Sequence, residues 1–159
     1  MNRYLKRVRT IADYQFGKGA GNALFSDETE FTFSTTGRVR QILQGERRIA
    51  TLRAKDGLFT LSIEGARRLH TYFGYPRMRV VLQEDASSFA REGKNAFARH
   101  VVDVDPEIRA YEEVIVVDKN DELLATGRAN LCADEMVSFD RGVAVDVRVG
   151  VAQKRSQDI

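Results

Sequence analysis

A chain of 159 residues that is 43% hydrophobic is long enough to bury a core, as one medium domain or two small ones, which excludes a wholly disordered segment. Its longest apolar runs, such as Val114 to Val117, fall far short of the roughly 20 residues that a membrane span needs. The net charge of +2 conceals an asymmetry: residues 1–74 hold 13 Lys and Arg against 7 Asp and Glu, or +6, while residues 75–159 hold 12 against 16, or −4.

Ten of the thirteen amino-terminal cations are arginine, whose planar fork of donors suits phosphate, so this half leans toward nucleic acid. Solvated charge and pairing with neighbouring carboxylates are the plainer account of the same residues. Cys132 is the single cysteine, which excludes an internal disulfide and any multi-cysteine zinc site, and with only His70 and His100 beside it neither a metal nor another cofactor is expected. The start, "MNRYLKRVRTIADYQF", has basic residues but no uninterrupted apolar stretch of the secretory kind, so a cytoplasmic protein is expected.

In chain order, Leu5, Val8, Ile11 and Ala12 recur at three- and four-residue steps and predict a helix over residues 2–16, its exposed side made basic by Arg3, Lys6, Arg7 and Arg9 or by part of that set. Gly17, Gly19 and Gly21 break it, and a short helix is expected around residues 22–25. Residues 38–63 read as a meander of three strands, "RVRQIL", "RIATLRA" and "LFTLSI", with Asp56-Gly57 as a hairpin signal. "SIEGARRLHTYF" closes this unit as a helix capped by Ser62, with Glu64 in its first turn and Leu69 and Phe73 on one face; residues 74–76 form the joint.

The second unit is rich in strands. "RMRVVLQ" predicts a strand, "SSFARE" a helical stub capped by Ser87 or Ser88, and "AFARHVVDV" a strand entered from Gly93. Asp105-Pro106 marks a turn, "EEVIVVD" and "ELLATGRANL" a hairpin, and "GVAVDVRVGV" the last strand. Asp134 and Glu135 are expected to cap a short turn, Met136 and Phe139 to lie in the core, and "QKRSQDI" to form a tail. Five short strands with one helical stub predict a closed or partly closed barrel, so the fold class is α+β: a basic domain over residues 1–74, a pseudo-barrel over 75–152 and a tail over 153–159.

Three fragments of the second unit occur in a recognisable order. They are "FAREGKNAFA" from Phe89, "DPEIRAYEEVIVVD" from Asp105, and "GRANLCADEM" from Gly127 followed by "GVAV". Together they make residues 79–150 resemble the PUA domain, the RNA-binding module named for pseudouridine synthases and archaeosine transglycosylases. The fragments "DYQFGKGAGNALF", "TGRVRQI" and "ATLRAKDGLFTLSIEGARRL" make the first unit similar to the domain that precedes the PUA module in archaeal tRNA-guanine transglycosylases and the related archaeosine synthase. The resemblance covers the carboxy-terminal region of such an enzyme and leaves out its catalytic barrel.

The resemblance implies that RNA meets the loop after the first barrel helix, here Gly93, Lys94 and Asn95. Glycine lacks a Cβ and lets a phosphate or ribose approach the main chain, Lys94 supplies a point charge, and Asn95 can pair with a 2′-hydroxyl or base edge. Arg99, Arg77, Arg79 and Arg148 are further candidates around the same groove. Arg38, Arg40 and Arg53 form a secondary basic set, with Arg38 and Arg40 on one strand face by the two-residue period; pairing with Glu46 and Asp56 is their alternative.

Candidates for catalysis are weaker. Cys132, near the end of a strand, is expected to be a small buried hydrophobe, no spacing links it to His70 or His100, and the glycine-rich "GKGAG" follows a helix where a dinucleotide site needs a strand. No catalytic residue is expected. The resemblance implies a non-catalytic protein that docks RNA, above all tRNA, for an archaeosine-type guanine exchange or its later step carried on a separate chain. The alternative is an assembly subunit of a tRNA-modification complex with little RNA affinity.

Overall fold

The structure is a computed structural model in which residues 2–153 are described; they divide into two compact units, one ending at Tyr72 and the other beginning at Phe73. The expected tail lies, from residue 154 onward, outside the described residues. Among the described residues no helix is long and apolar enough to cross a membrane.

The first unit opens with α1 (Arg3–Phe16), which buries Leu5, Val8, Ala12 and Phe16, as the apolar spacing requires. Asn2 lies outside the helix as its cap, its side chain accepting from Tyr4 N at 2.7 Å. Arg3, Lys6 and Arg7 make the exposed basic side, and Arg9 turns partly inward. It is half-buried, and its Nε and Nη2 donate to the Phe25 carbonyl at 2.9 and 2.7 Å, tying α1 to the end of α2 (Ala20–Leu24).

Four antiparallel strands follow in sequential order: β1 (Glu30–Phe33), β2 (Val39–Gln44), β3 (Arg47–Leu52) and β4 (Phe59–Leu61). The first of them is a strand the meander over 38–63 omits. Ile42, Ile49, Phe59 and Leu61 enter the core, where the Phe25 and Phe59 rings stand 5.4 Å apart. α3 (Ile63–Tyr72) then packs on β3. Its cap is Ser62, as expected: the buried Ser62 Oγ accepts from Gly65 N at 3.1 Å and donates to the Ile49 carbonyl at 3.0 Å. Phe73 falls beyond the helix, in the second unit. Burial works against the Glu64 carboxylate, yet Arg68, Arg47 and Arg67 around it hold its pKa below the ordinary value.

The second unit is one six-stranded sheet. Its elements are β5 (Arg79–Leu82), α4 (Glu84–Arg91), β6 (Ala96–Phe97), a 3₁₀ turn (Ala98–His100), β7 (Val101–Val104), β8 (Glu113–Val117), β9 (Leu123–Ala129), α5 (Ala133–Ser138) and β10 (Val143–Gly150). The strand order is β6-β10-β9-β8-β5-β7, with only β5 and β8 parallel. The edge strands β6 and β7 are joined by just the three-residue turn, which spans about 6 Å. Two edges that close together in space force the sheet to curl into a nearly closed barrel, filled by Val80, Leu82, Val114, Val116, Leu124, Met136 and Val145.

Four expectations are corrected here. "AFARHVVDV" is two strands broken by the 3₁₀ turn, so the sheet has six strands and not five. α4 begins at Glu84, ahead of both serines, and Ser87 Oγ donates back to the Gln83 carbonyl at 3.2 Å instead of capping. Phe139 is 45% exposed, outside the core that Met136 occupies. Cys132 is only half-buried and stands at the start of α5, where its backbone N–H donates to Glu135 Oε1 at 3.0 Å in a capping box.

Candidate nucleic-acid interface

The loop between α4 and β6 is shaped by its glycine. Gly93 has φ +93°, a left-handed conformation that side chains with a Cβ rarely adopt, and its N–H donates to the Ala90 carbonyl at 2.9 Å to close the helix. The open notch expected over this glycine is occupied. A Cβ built on Gly93 would lie 2.6 Å from the Gln153 side-chain amide, and that side chain is held in turn by accepting from Gly150 N at 2.8 Å. The close approach at Gly93 is therefore made by the chain's own turn after β10, whose Ala152 N donates to the Arg91 carbonyl at 2.9 Å.

The residues after the glycine are differently placed. Lys94 is exposed, and its ammonium has no partner among the described residues. Asn95 Oδ1 accepts from Val147 N at 2.9 Å, which pins the loop to β10; the rest of the amide is exposed. Arg99, raised on the 3₁₀ turn, is exposed, with its guanidinium 5.8 Å from the Phe97 ring centre and its Nε donating to His100 Nε2 at 3.3 Å. Phe97 is 41% exposed, and the His100 ring meets it edge-on at 6.3 Å. Residues 94–100 thus present two cations beside an aromatic surface. Phe97 and His100 were missed from sequence because "AFARH" reads there as the apolar alternation of a strand.

Of the remaining arginines Arg79 is buried, while Arg148 and Arg77 are exposed. Arg79 is 2% exposed; its Nε donates to Asp121 Oδ1 at 2.9 Å, and its Nη1 donates to the carbonyls of Phe73 and Arg77, both at 2.9 Å. A guanidinium so engaged is structural and cannot meet a phosphate. Arg148 is committed to Glu113, a carboxylate almost wholly buried on β8, with Nη1 donating to Oε1 at 3.2 Å. Its function is to neutralise that charge, which β8 could not otherwise bury. Arg77 is exposed and lies over the Phe73 ring at 4.6 Å. Nearby, the exposed Tyr75 hydroxyl donates to Asp103, and this bond, with some burial and the Asp103 charge, pushes the phenol pKa up to about 12.

In the first unit Arg53 forks onto Asp56 at 3.0 and 2.8 Å, the pairing foreseen as its alternative, and the bond holds the Asp56 pKa below its ordinary value. Arg38 and Arg40 are exposed on either side of the buried Val39. Asp134 is exposed while Glu135 does the capping.

Comparison with known proteins accounts for both units. Residues 6–76 match the patch-forming domain C2 of tRNA-guanine transglycosylase, and residues 78–151 match the PUA domain. The tRNA-guanine(15) transglycosylase of Thermococcus kodakarensis is 55% identical over 146 residues, which make up 92% of this chain and 25% of the relative. The chain spans about a quarter of the length of the curated relatives it matches. Among solved structures, the hypothetical protein PH0734.1 of Pyrococcus horikoshii superposes with a TM-score of 0.72 at 22% identity, over 94% of this chain and 91% of its own. A conserved PUA-domain protein of Thermoplasma acidophilum does so with a TM-score of 0.60 at 19% identity, over 91% and 86%. These two likenesses establish the α+β fold with its PUA-like barrel.

Proposed function

The chain belongs to the family formed by a transglycosylase-type C2 domain and a PUA domain, matching the carboxy-terminal region of the archaeal enzyme, and we propose that it docks tRNA for a guanine-exchange reaction or its later step. RNA binding in the setting of tRNA modification is supported by the PUA match and by the transglycosylase relatives. The catalytic unit lies outside these residues, and we place it on a separate chain. The protein supplies binding energy and orientation, which lower the barrier by fixing where the reacting base sits.

The observation that carries this reading is the exposed stretch 94–100, where Lys94 has no partner among the described residues and Arg99 leans on Phe97. A point charge for phosphate beside an aromatic face suits RNA that offers its backbone together with an unpaired base or ribose. The reading assigns contact to Lys94, Asn95 and Arg99, with Phe97 and His100 added and Arg77 and Arg148 at the margin; Arg79 is set aside because it is buried against Asp121. Gly93 shapes the loop and is not itself the contact.

Titration of a fluorescein-labelled tRNA transcript with the protein alone tests it. Saturable, salt-sensitive binding is expected. If no RNA binds at low salt while a tRNA-modifying enzyme is bound saturably, the role passes to protein assembly.

A further inference from the structure

The amino-terminal unit has a hollow, apolar in most of its lining and edged by arginines, that the reading above leaves unused. Where β2 leaves the 34–37 turn, Arg38, Arg40 and Arg53 line a depression of about 320 Å³ together with Ser34 and Thr36. Arg38 and Arg40 carry like charge two residues apart on one face at the start of β2, an arrangement that an anion between them would relieve. Arg53 already has its carboxylate in Asp56, but the guanidinium groups of Arg38 and Arg40 make no hydrogen bond or ion pair among the described residues. The turn is itself held: Ser34 Oγ and Thr36 Oγ1 are 2.9 Å apart, and Ser34 Oγ accepts from Arg38 N at 3.2 Å. Two exposed guanidinium groups with no carboxylate of their own among the described residues suit a phosphate oxygen.

The hollow continues past that anion site. Ser34 and Arg40 also line an adjoining depression of about 430 Å³ that has Phe33 on its wall. Phe33 is 46% exposed, and the Tyr4 ring braces it edge-on, with ring centres 5.1 Å apart at 66°. Arg3 and Arg7 stand 5.0 and 5.9 Å from the Tyr4 ring centre and add positive charge to the same end of the unit. A free anion needs only the first depression. An exposed, braced aromatic ring sharing a wall with it fits a ligand that carries a phosphate and a flat apolar group together.

We infer that this end of the β1–β2 hairpin binds one nucleotide of an unpaired RNA segment, its phosphodiester between Arg38 and Arg40 and its base against Phe33. The contact is additional to the one proposed on the barrel, and it selects looped RNA, because a paired and stacked base has no face to offer Phe33.

The test is fluorescence anisotropy of the full chain with two labelled RNAs of equal length, a hairpin with an unpaired loop and a fully paired duplex. Phe33→Ala is expected to weaken hairpin binding about ten-fold and leave duplex binding unchanged. The Arg38→Ala, Arg40→Ala pair is expected to lower the slope of log affinity against log salt for the hairpin by about 1.4. If Phe33→Ala binds both RNAs as the parent does while millimolar inorganic phosphate displaces them, the hollow is a free-anion site and the inference fails. Should Phe33→Ala not fold, crosslinking of 4-thiouridine RNA to the parent decides: a crosslink within residues 31–40 supports the site, and crosslinks confined to the barrel remove it. Loss of binding only in Lys94→Ala and Arg99→Ala variants would keep the barrel reading and overturn this one. Loss only in the hairpin-end variants would do the reverse.

Discussion

The side chain of Gln153 lies over the backbone of Gly93, close enough that a Cβ on that glycine would sit 2.6 Å from the Gln153 amide. The far end of a glutamine can swing away, so the lasting cost of a side chain at residue 93 is its φ of +93°. Gly93→Ala should therefore lose about 1–2 kcal/mol of stability in a urea melt. The Gly93→Ala, Gln153→Ala double variant should recover only the part due to the clash. Full recovery would show that backbone strain is absent at this position.

Arg79 gives a prediction of opposite kind for stability and for RNA. Its guanidinium joins the Asp121 carboxylate to two backbone carbonyls from a buried position, so Arg79→Ala leaves those acceptors unsatisfied and should cost about 3 kcal/mol. Under conditions where the variant remains folded, the salt slope of tRNA binding should match the parent. A reduced slope in the folded variant would return Arg79 to the interface.

Glu64 sets an acid limit on the first unit. Despite burial, its pKa is held below the ordinary value by Arg68, Arg47 and Arg67, so folding favours the ionised form. That stabilisation is complete above the unfolded carboxylate pKa of about 4.3 and is lost as pH falls through the depressed folded value. Chemical denaturation from pH 7 down to pH 3 should show a loss of stability that Glu64→Gln lacks, the variant being less stable at pH 7 and approaching the parent in acid. Parallel curves would contradict the arginine cluster.

Tyr75 sets the alkaline counterpart. With its pKa raised to about 12 by Asp103, folding favours the neutral phenol. The contribution is present below the ordinary tyrosine value of about 10 and is lost as pH rises toward 12. Ultraviolet titration of the five tyrosines should show one late phenolate, absent in Tyr75→Phe and moved toward 10 in Asp103→Asn. A late phenolate that persists in Tyr75→Phe would belong to another tyrosine.

How far these features were legible in the sequence depends on the range of the contacts that make them. α1 and α3 were readable because Leu5, Val8 and Ala12, and Ser62 with its first turn, act within a few residues of themselves. β1 was not, because "EFTF" is a short edge strand whose residues are only half-buried or exposed and show no alternation. The 3₁₀ turn at Ala98–His100 was hidden because its residues suit a strand equally well; closure of the barrel, a tertiary demand, breaks them. At the candidate site, Lys94 and Arg99 were singled out from motif order, and both are exposed. The burial of Arg79 and the pairing of the exposed Arg148 were not legible, because the acids they meet, Asp121 and Glu113, lie 42 and 35 residues away in the chain. The cover over Gly93 comes from still farther off, at Gln153.

The measurement that bears most directly on RNA docking is tRNA affinity across a salt series for the parent and for a Lys94→Ala, Arg99→Ala variant, both shown to be folded. The account predicts that the parent's log affinity falls linearly with log salt and that the variant loses affinity, with a slope shallower by about 1.4–1.8. Equal slopes and equal affinities in the two proteins would contradict it, placing the RNA away from residues 94–100.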